Sequence, residues 1–145
     1  MAREFEYCVE KGNIIKREVP LSFIEKELRE AEYDLTMAKH SLQNRDVKWA
    51  TIKAYYSIFH SIRALVFSKG YREKSHFCLM AAFKHLFVEK GLLTELLDYF
   101  YYAMNAREGA DYGAVYNDKT AMKVINYAES AKNAVSKYFR ERKND

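Results

Sequence analysis

Val47-Lys48-Trp49-Ala50-Thr51-Ile52-Lys53-Ala54-Tyr55-Tyr56-Ser57-Ile58-Phe59-His60-Ser61-Ile62-Arg63-Ala64-Leu65-Val66-Phe67-Ser68-Lys69-Gly70 is the stretch that decides the fold. Trp49, Ile52, Ala54, Tyr55, Ile58, Phe59, Ile62, Leu65, Val66 and Phe67 cover nearly every side of a helical wheel. A helix that is apolar on most sides is packed by several neighbours, so this segment reads as the central helix of an α-helical domain. Gly70 takes the left-handed C′ position without strain and ends it. Asp46, in the polar break Asn44-Arg45-Asp46, is placed to cap its first turn.

Helical periodicity continues on both sides. Upstream, Ile24, Leu28, Ala31, Leu35, Ala38 and Leu42 step by four and three, which makes one apolar stripe on a helix roughly 30 Å long. Pro20-Leu21-Ser22 opens that helix, and Ser22 with Glu25 has capping-box spacing. Downstream, Ser75 can cap a helix carrying Leu79, Ala82, Phe83, Leu86 and Phe87 to a stop at Gly91. Thr94 can cap the next, with Leu97, Phe100, Tyr101 and Met104 facing in until Gly109. Asn117 or Asp118 can cap the last, where Ala121, Val124, Ala128, Ala131, Val135 and Tyr138 step by three and four. The connections are short, which favours antiparallel neighbours. The expected fold is therefore all-α: an up-and-down helical bundle of about five helices over residues 21–145. A short helix ending near Gly12 and an extended arm precede it over residues 1–20. No stretch alternates long enough to predict a strand.

Composition agrees with one domain. The chain has 145 residues, one proline and five glycines, too few of the latter two for a turn-rich β-sandwich. Two cysteines argue against a disulfide scaffold and for a reducing compartment, with Cys78 a small buried hydrophobe, so a cytoplasmic location is expected. No apolar run is long enough to span a membrane. The net charge of +4 traces to residues 132–143, where Lys132, Lys137, Arg140, Arg142 and Lys143 face Glu141 alone. Cations favour a helix C-terminus through the macrodipole, and that reading outweighs a nucleic-acid tail.

Familiar catalytic signatures are absent. His40, His60, His76 and His85 show no i,i+4 pairing and no His-Glu-x-x-His spacing, so no metal site is predicted. There is no Gly-rich phosphate loop and no nucleophile elbow, and no cofactor is expected. Lys53, Tyr56, His60 and Arg63, spaced three, four and three apart, share one face of the central helix. Such a line must meet solvent, a cleft, or acidic groups from a neighbour, because unpaired buried cations are costly. On spacing alone, an exposed helix edge is the plainer reading. A second candidate is Arg107-Glu108-Gly109-Ala110-Asp111-Tyr112, where Arg107 continues the inward stripe and Asp111 stands four residues on. A structural cap is the plain reading there; the alternative is an anion pocket, since the guanidinium fork suits phosphate.

Three ordered segments also carry a resemblance: Ala54 to Leu65, then Lys69-Gly70-Tyr71-Arg72-Glu73-Lys74-Ser75-His76, then Arg107 to Tyr112. Together they resemble the HEPN domain, and more narrowly its stand-alone uncharacterised archaeal and bacterial branch, from about Ser22 to Tyr138. The resemblance implies a bundle that forms a homodimer, with the Arg107 motif lining a cleft between protomers. It further implies a minimal nucleotidyltransferase partner and a toxin–antitoxin or defence role. Many HEPN proteins are metal-independent ribonucleases with an arginine followed, after four to six residues, by histidine. Here those positions hold Tyr112, Gly113 and Ala114, so the general base is missing from its usual place.

The leading expectation is a non-catalytic or weakly catalytic dimer that binds a nucleotide or RNA phosphate. Arg107 is its anion contact, Asp111 the orienter, and Tyr112 a stacking group or modification acceptor. Tyr56, His60 and Arg63 form the neighbouring wall. Two alternatives stay open. One is a metal-independent endoribonuclease in which His60 or His76 works with Arg107. The other is a structural, partner-binding domain in which Arg107 and Asp111 only cap their helix.

Overall fold

A computed structural model describes residues 2–143. Its elements are α1 (Ala2–Glu10), β1 (Ile14–Lys16), α2 (Leu21–Gln43), α3 (Val47–Ser68), β2 (Tyr71–Glu73), α4 (His76–Leu86), a 3₁₀ turn (Val88–Lys90), α5 (Glu95–Tyr112) and α6 (Asp118–Lys143). The fold is an all-α bundle. α3 lies at its centre and packs against α2, α4, α5 and α6. Tyr55, Ile58, Ile62, Leu65 and Val66 are completely buried there. Each such side chain contributes about 1.5–3 kcal/mol of burial, which is why the helix with the broadest apolar surface takes the middle. α2 runs antiparallel to α3, since Ser41, Asp34 and Glu27 meet Lys53, His60 and Arg63 in reversed order.

Helix ends follow local chemistry. Asp46 accepts a bond from the Trp49 amide, Ser75 from that of Cys78, and Asn117, rather than Asp118, from that of Thr120. Gly70 and Gly91 sit at φ 81° and 74°, in the left-handed region. Three expected ends differ. α2 starts at Leu21 with Pro20 in the cap position, so Ser22 is already inside the helix and makes no cap bond. Thr94 has a helical backbone and its side chain makes no cap bond either. α5 runs through Gly109 to Tyr112, because that glycine serves close approach instead of termination. Its carbonyl accepts the amides of Gly113 and Val115, and a Cβ there would lie 3.3 Å from the Val115 carbonyl oxygen.

Two features overturn the sequence reading. β1 and β2 pair antiparallel, Ile14 with Glu73 and Lys16 with Tyr71. Strands of three residues are too short to show an alternation, and this is why the residues after Gly12 read as an unpaired arm. Cys8 and Cys78 form a disulfide between α1 and α4, with Cα atoms 5.8 Å apart and both residues buried. Two cysteines 70 residues apart in sequence gave no sign of this pairing, and a disulfide is not what a reducing compartment favours. Closing so long a loop stabilises the fold by about 4 kcal/mol in the chain-entropy view. No helix among the described residues is long and apolar enough to cross a membrane. The basic end of α6 is partly neutralised: Lys132 pairs with Glu32 and Lys137 with Glu141.

Candidate functional site

Arg107 projects from α5 onto α3. Because α5 is unbroken at Gly109, Asp111 lies one turn beyond Arg107 on the same face. The Arg107 Nη2 donates to the Tyr56 hydroxyl at 3.1 Å. Its guanidinium carbon lies 5.6 Å from the ring centres of Tyr55 and Tyr56 and 5.5 Å from that of Tyr112. Such ring faces attract a cation without consuming its N–H donors. Nε of Arg107 is buried with no hydrogen-bond partner. Asp111 Oδ2 stands 3.7 Å from it, near enough to attract and too far to bond. Among the described residues, therefore, one of the five guanidinium donors is engaged in a hydrogen bond.

His76 arrives at this site from the first turn of α4. Its ring packs 4.6 Å from Phe59 and 5.7 Å from Tyr55, centre to centre, and edge-on to Tyr56 at 6.2 Å. Nδ1 lies 2.5 Å from the Tyr55 hydroxyl. Burial, seconded by the charges of Arg107 and Arg63, holds the His76 pKa below its ordinary value, so the ring is neutral near pH 7. Burial also pushes the Tyr55 phenol far above its usual range, against the pull of Arg107, and keeps it protonated. In either tautomer the neutral ring retains one nitrogen lone pair. Tyr55 had read only as core, and nothing in its spacing marks it as the partner of a histidine 21 residues away.

The polar line on α3 does not act as one wall. Tyr56 turns to Arg107, while Lys53 donates to Ser41 at 2.9 Å. His60 and Arg63 turn away to acids on α2 and β2. His60 Nδ1 is 3.3 Å from Glu27 and its Nε2 3.6 Å from Asp34. Arg63 sits 3.3 Å from Glu27 and 3.2 Å from Glu73. Burial raises the Glu27 carboxyl, but the hydrogen bond and charge of His60 and the charge of Arg63 prevail and leave its pKa lowered. Burial dominates at Glu73 and Asp34 and raises both, despite Arg63 and His60 respectively. Glu30, Asp34 and His60 place ligand atoms within 4.8 Å of one another, the grouping among the described residues that could hold a metal ion. Histidine spacing alone does not reveal it, because two of the three ligands are carboxylates on another helix.

A helical bundle centred on α3, with an arginine at the end of α5 facing it, defines the class. The HEPN domain description matches residues 24–138, and the chain belongs to the HEPN family. It is 31% identical over 118 residues to a UPF0332 protein of Thermotoga maritima, covering 79% of this chain and 89% of that one. It is also similar to two proteins of Methanocaldococcus jannaschii named as candidate toxins. One is 36% identical over 66 residues, covering 46% of this chain and 49% of the relative. The other is 30% identical over 92 residues, covering 63% of each. The chain thus spans less than two thirds of either toxin-named relative.

Proposed function

We propose that this HEPN protein is the toxin-like member of a two-component toxin–antitoxin or defence system and acts by holding a nucleotide or RNA phosphate at Arg107. On this reading it works as a homodimer beside a minimal nucleotidyltransferase. The toxin names of two relatives support the role. One observation carries the site: a partly buried guanidinium whose Nε has no bond and whose nearest carboxylate is 3.7 Å away. The Nη donors that Tyr56 does not hold can take two oxygens of a phosphate in bidentate geometry, and the loose Asp111 contact leaves them free. Tyr112, 76% exposed beside the guanidinium, offers a face on which a base can stack. Titration of labelled RNA and of ATP against the protein and its Arg107→Ala variant tests this. Binding that survives the substitution refutes it.

A second reading is favoured by the placement of His76. A neutral imidazole beside an arginine is a general base beside an anion stabiliser. A nitrogen of His76 would take the proton of a ribose 2′-hydroxyl as its oxygen attacks phosphorus. The P–O5′ bond then breaks, the 5′-oxygen takes a proton from solvent, and Arg107 offsets the charge on the pentacoordinate phosphorus. Incubation with RNA in EDTA decides between the readings. Cleavage that is lost in both His76→Ala and Arg107→Ala but kept in His60→Ala establishes the ribonuclease; no cleavage leaves the binding protein.

A further inference from the structure

Pairing of β1 with β2 gathers six cations into one ribbon. Lys11, Lys16 and Arg17 come from the first strand and its flanks, Lys69, Arg72 and Lys74 from the second. Over residues 11–18 and 69–74 the only acids are Glu18 and Glu73. Six cations against two carboxylates give +4, as large as the net charge of the whole chain. Glu73 moreover is buried and bound to Arg63. The pairing extends beyond the strands, with the Arg17 amide donating to Gly70 at 2.7 Å and the Lys74 amide to Asn13 at 2.9 Å. The register sets Arg17, Arg72 and Lys74 on one face of the ribbon at diagonal positions, with Lys16 on the other face, so three like charges lie close together there.

The side chains are placed for an anion. Lys16, Arg17 and Lys74 are exposed and make no side-chain hydrogen bond or ion pair among the described residues. Arg72 has its guanidinium carbon 5.6 Å from the ring centre of Phe23 and 5.8 Å from that of Phe67, with no carboxylate on its donors among the described residues. Arg17, Arg72 and Lys74 line a shallow cleft of about 200 Å³ with Ile15 and Glu73. The second strand leads along the chain to His76 of the Arg107 site. Lys74 stands two residues before His76, at most about 7 Å along the chain. His76 in turn feels Arg107 and Arg63, and Arg63 is the residue bonded to Glu73 of β2.

We infer that the β1–β2 ribbon is a rail for the phosphate backbone of RNA, so that the ligand of this protein is a strand of several nucleotides, not a mononucleotide. The inference rests on the reading of Arg107 as a phosphate contact and extends it along the strand. RNA is favoured over an acidic protein surface because the ribbon leads, two residues after Lys74, to the histidine that packs beside the Arg107 site. Clustered cations with no carboxylate partners are also what a polyanion needs for release of its counterions.

The test is fluorescence anisotropy of the full chain with a labelled 20-nucleotide oligouridylate across a salt series. Three proteins are compared: wild type, a Lys16→Ala/Arg17→Ala/Lys74→Ala triple variant, and Arg107→Ala. The three replaced side chains have no hydrogen-bond or ion-pair partner among the described residues, so the triple variant is expected to melt as the wild type does. Its affinity should fall about 100-fold at 0.1 M salt, and its log K against log[salt] slope should flatten by about 2, as removal of three single-strand phosphate contacts requires. Unchanged affinity and slope in the triple variant overturn the rail, while loss confined to Arg107→Ala leaves the Arg107 reading in place. Loss confined to the triple variant keeps the rail and refutes Arg107 as the phosphate contact. A wild type that binds no RNA overturns both. Equal displacement of the RNA by poly-aspartate of the same charge overturns the RNA assignment in favour of an acidic protein partner.

Discussion

The Tyr55 hydroxyl lies 2.5 Å from Nδ1 of His76, and through that contact a fully buried residue of α3 fixes the ring that opens α4. Tyr55→Phe removes the bond and leaves the packing. Stability should fall by about 1 kcal/mol in urea unfolding. If the hydroxyl donates to Nδ1 the His76 pKa should rise in the variant, and if Nδ1–H donates to the hydroxyl it should fall, as read by an NMR pH titration of its ring carbons.

His76 also gives stability a pH dependence. Its folded pKa lies below the ordinary histidine value, so the unfolded chain binds more protons as pH falls through that range. Stability should therefore be full above about pH 7 and decline as pH drops through the ordinary histidine range. His76→Gln should flatten the unfolding free energy over that window. Glu27, whose folded pKa is lowered, contributes stability above the ordinary carboxyl range, and that share is lost only at lower pH, as the folded carboxylate is protonated.

Arg63 is bonded to two buried carboxylates on different elements. Arg63→Met leaves Glu27 and Glu73 without their shared cation and should cost about 3–5 kcal/mol, read as a large fall in Tm. His60→Ala removes one contact of Glu27 and Asp34 and should cost less. It should leave any RNA cleavage intact, since His60 faces the acidic cluster and not Arg107.

The disulfide makes its own claim. Cys8→Ser/Cys78→Ser should lower stability by about 2–4 kcal/mol in chemical denaturation under oxidising conditions. A reducing agent should lower the wild type by the same amount and leave the double variant unmoved.

The central helix was legible because its apolar surface leaves a single arrangement, and Asp46, Ser75 and Gly70 act through contacts within four residues of themselves. What stayed hidden depends on partners far along the chain. The two strands of the ribbon pair Lys16 with Tyr71 and Ile14 with Glu73, far apart in sequence and with too few residues to carry a period. Cys8 finds Cys78 across 70 residues. The line Lys53, Tyr56, His60, Arg63 could be placed on one face of a helix, and acidic neighbours were one of its expected partners. Which acids meet His60 and Arg63, and that Tyr56 leaves them for Arg107, depends on how α2, α5 and β2 pack. Gly109 misled for a related reason: a glycine that ends a helix and one that admits a returning loop look alike in one dimension.

Arg107 as the phosphate contact is the central claim, and the binding of a single-stranded RNA to Arg107→Ala and Arg107→Lys variants tests it most directly. The account predicts a loss of about 10- to 100-fold for alanine, with lysine restoring little because a point charge cannot reproduce the bidentate fork. Both variants should keep a cooperative melting transition. RNA affinity unchanged in Arg107→Ala, accompanied only by a lowered Tm, would contradict it and make Arg107 a structural cap.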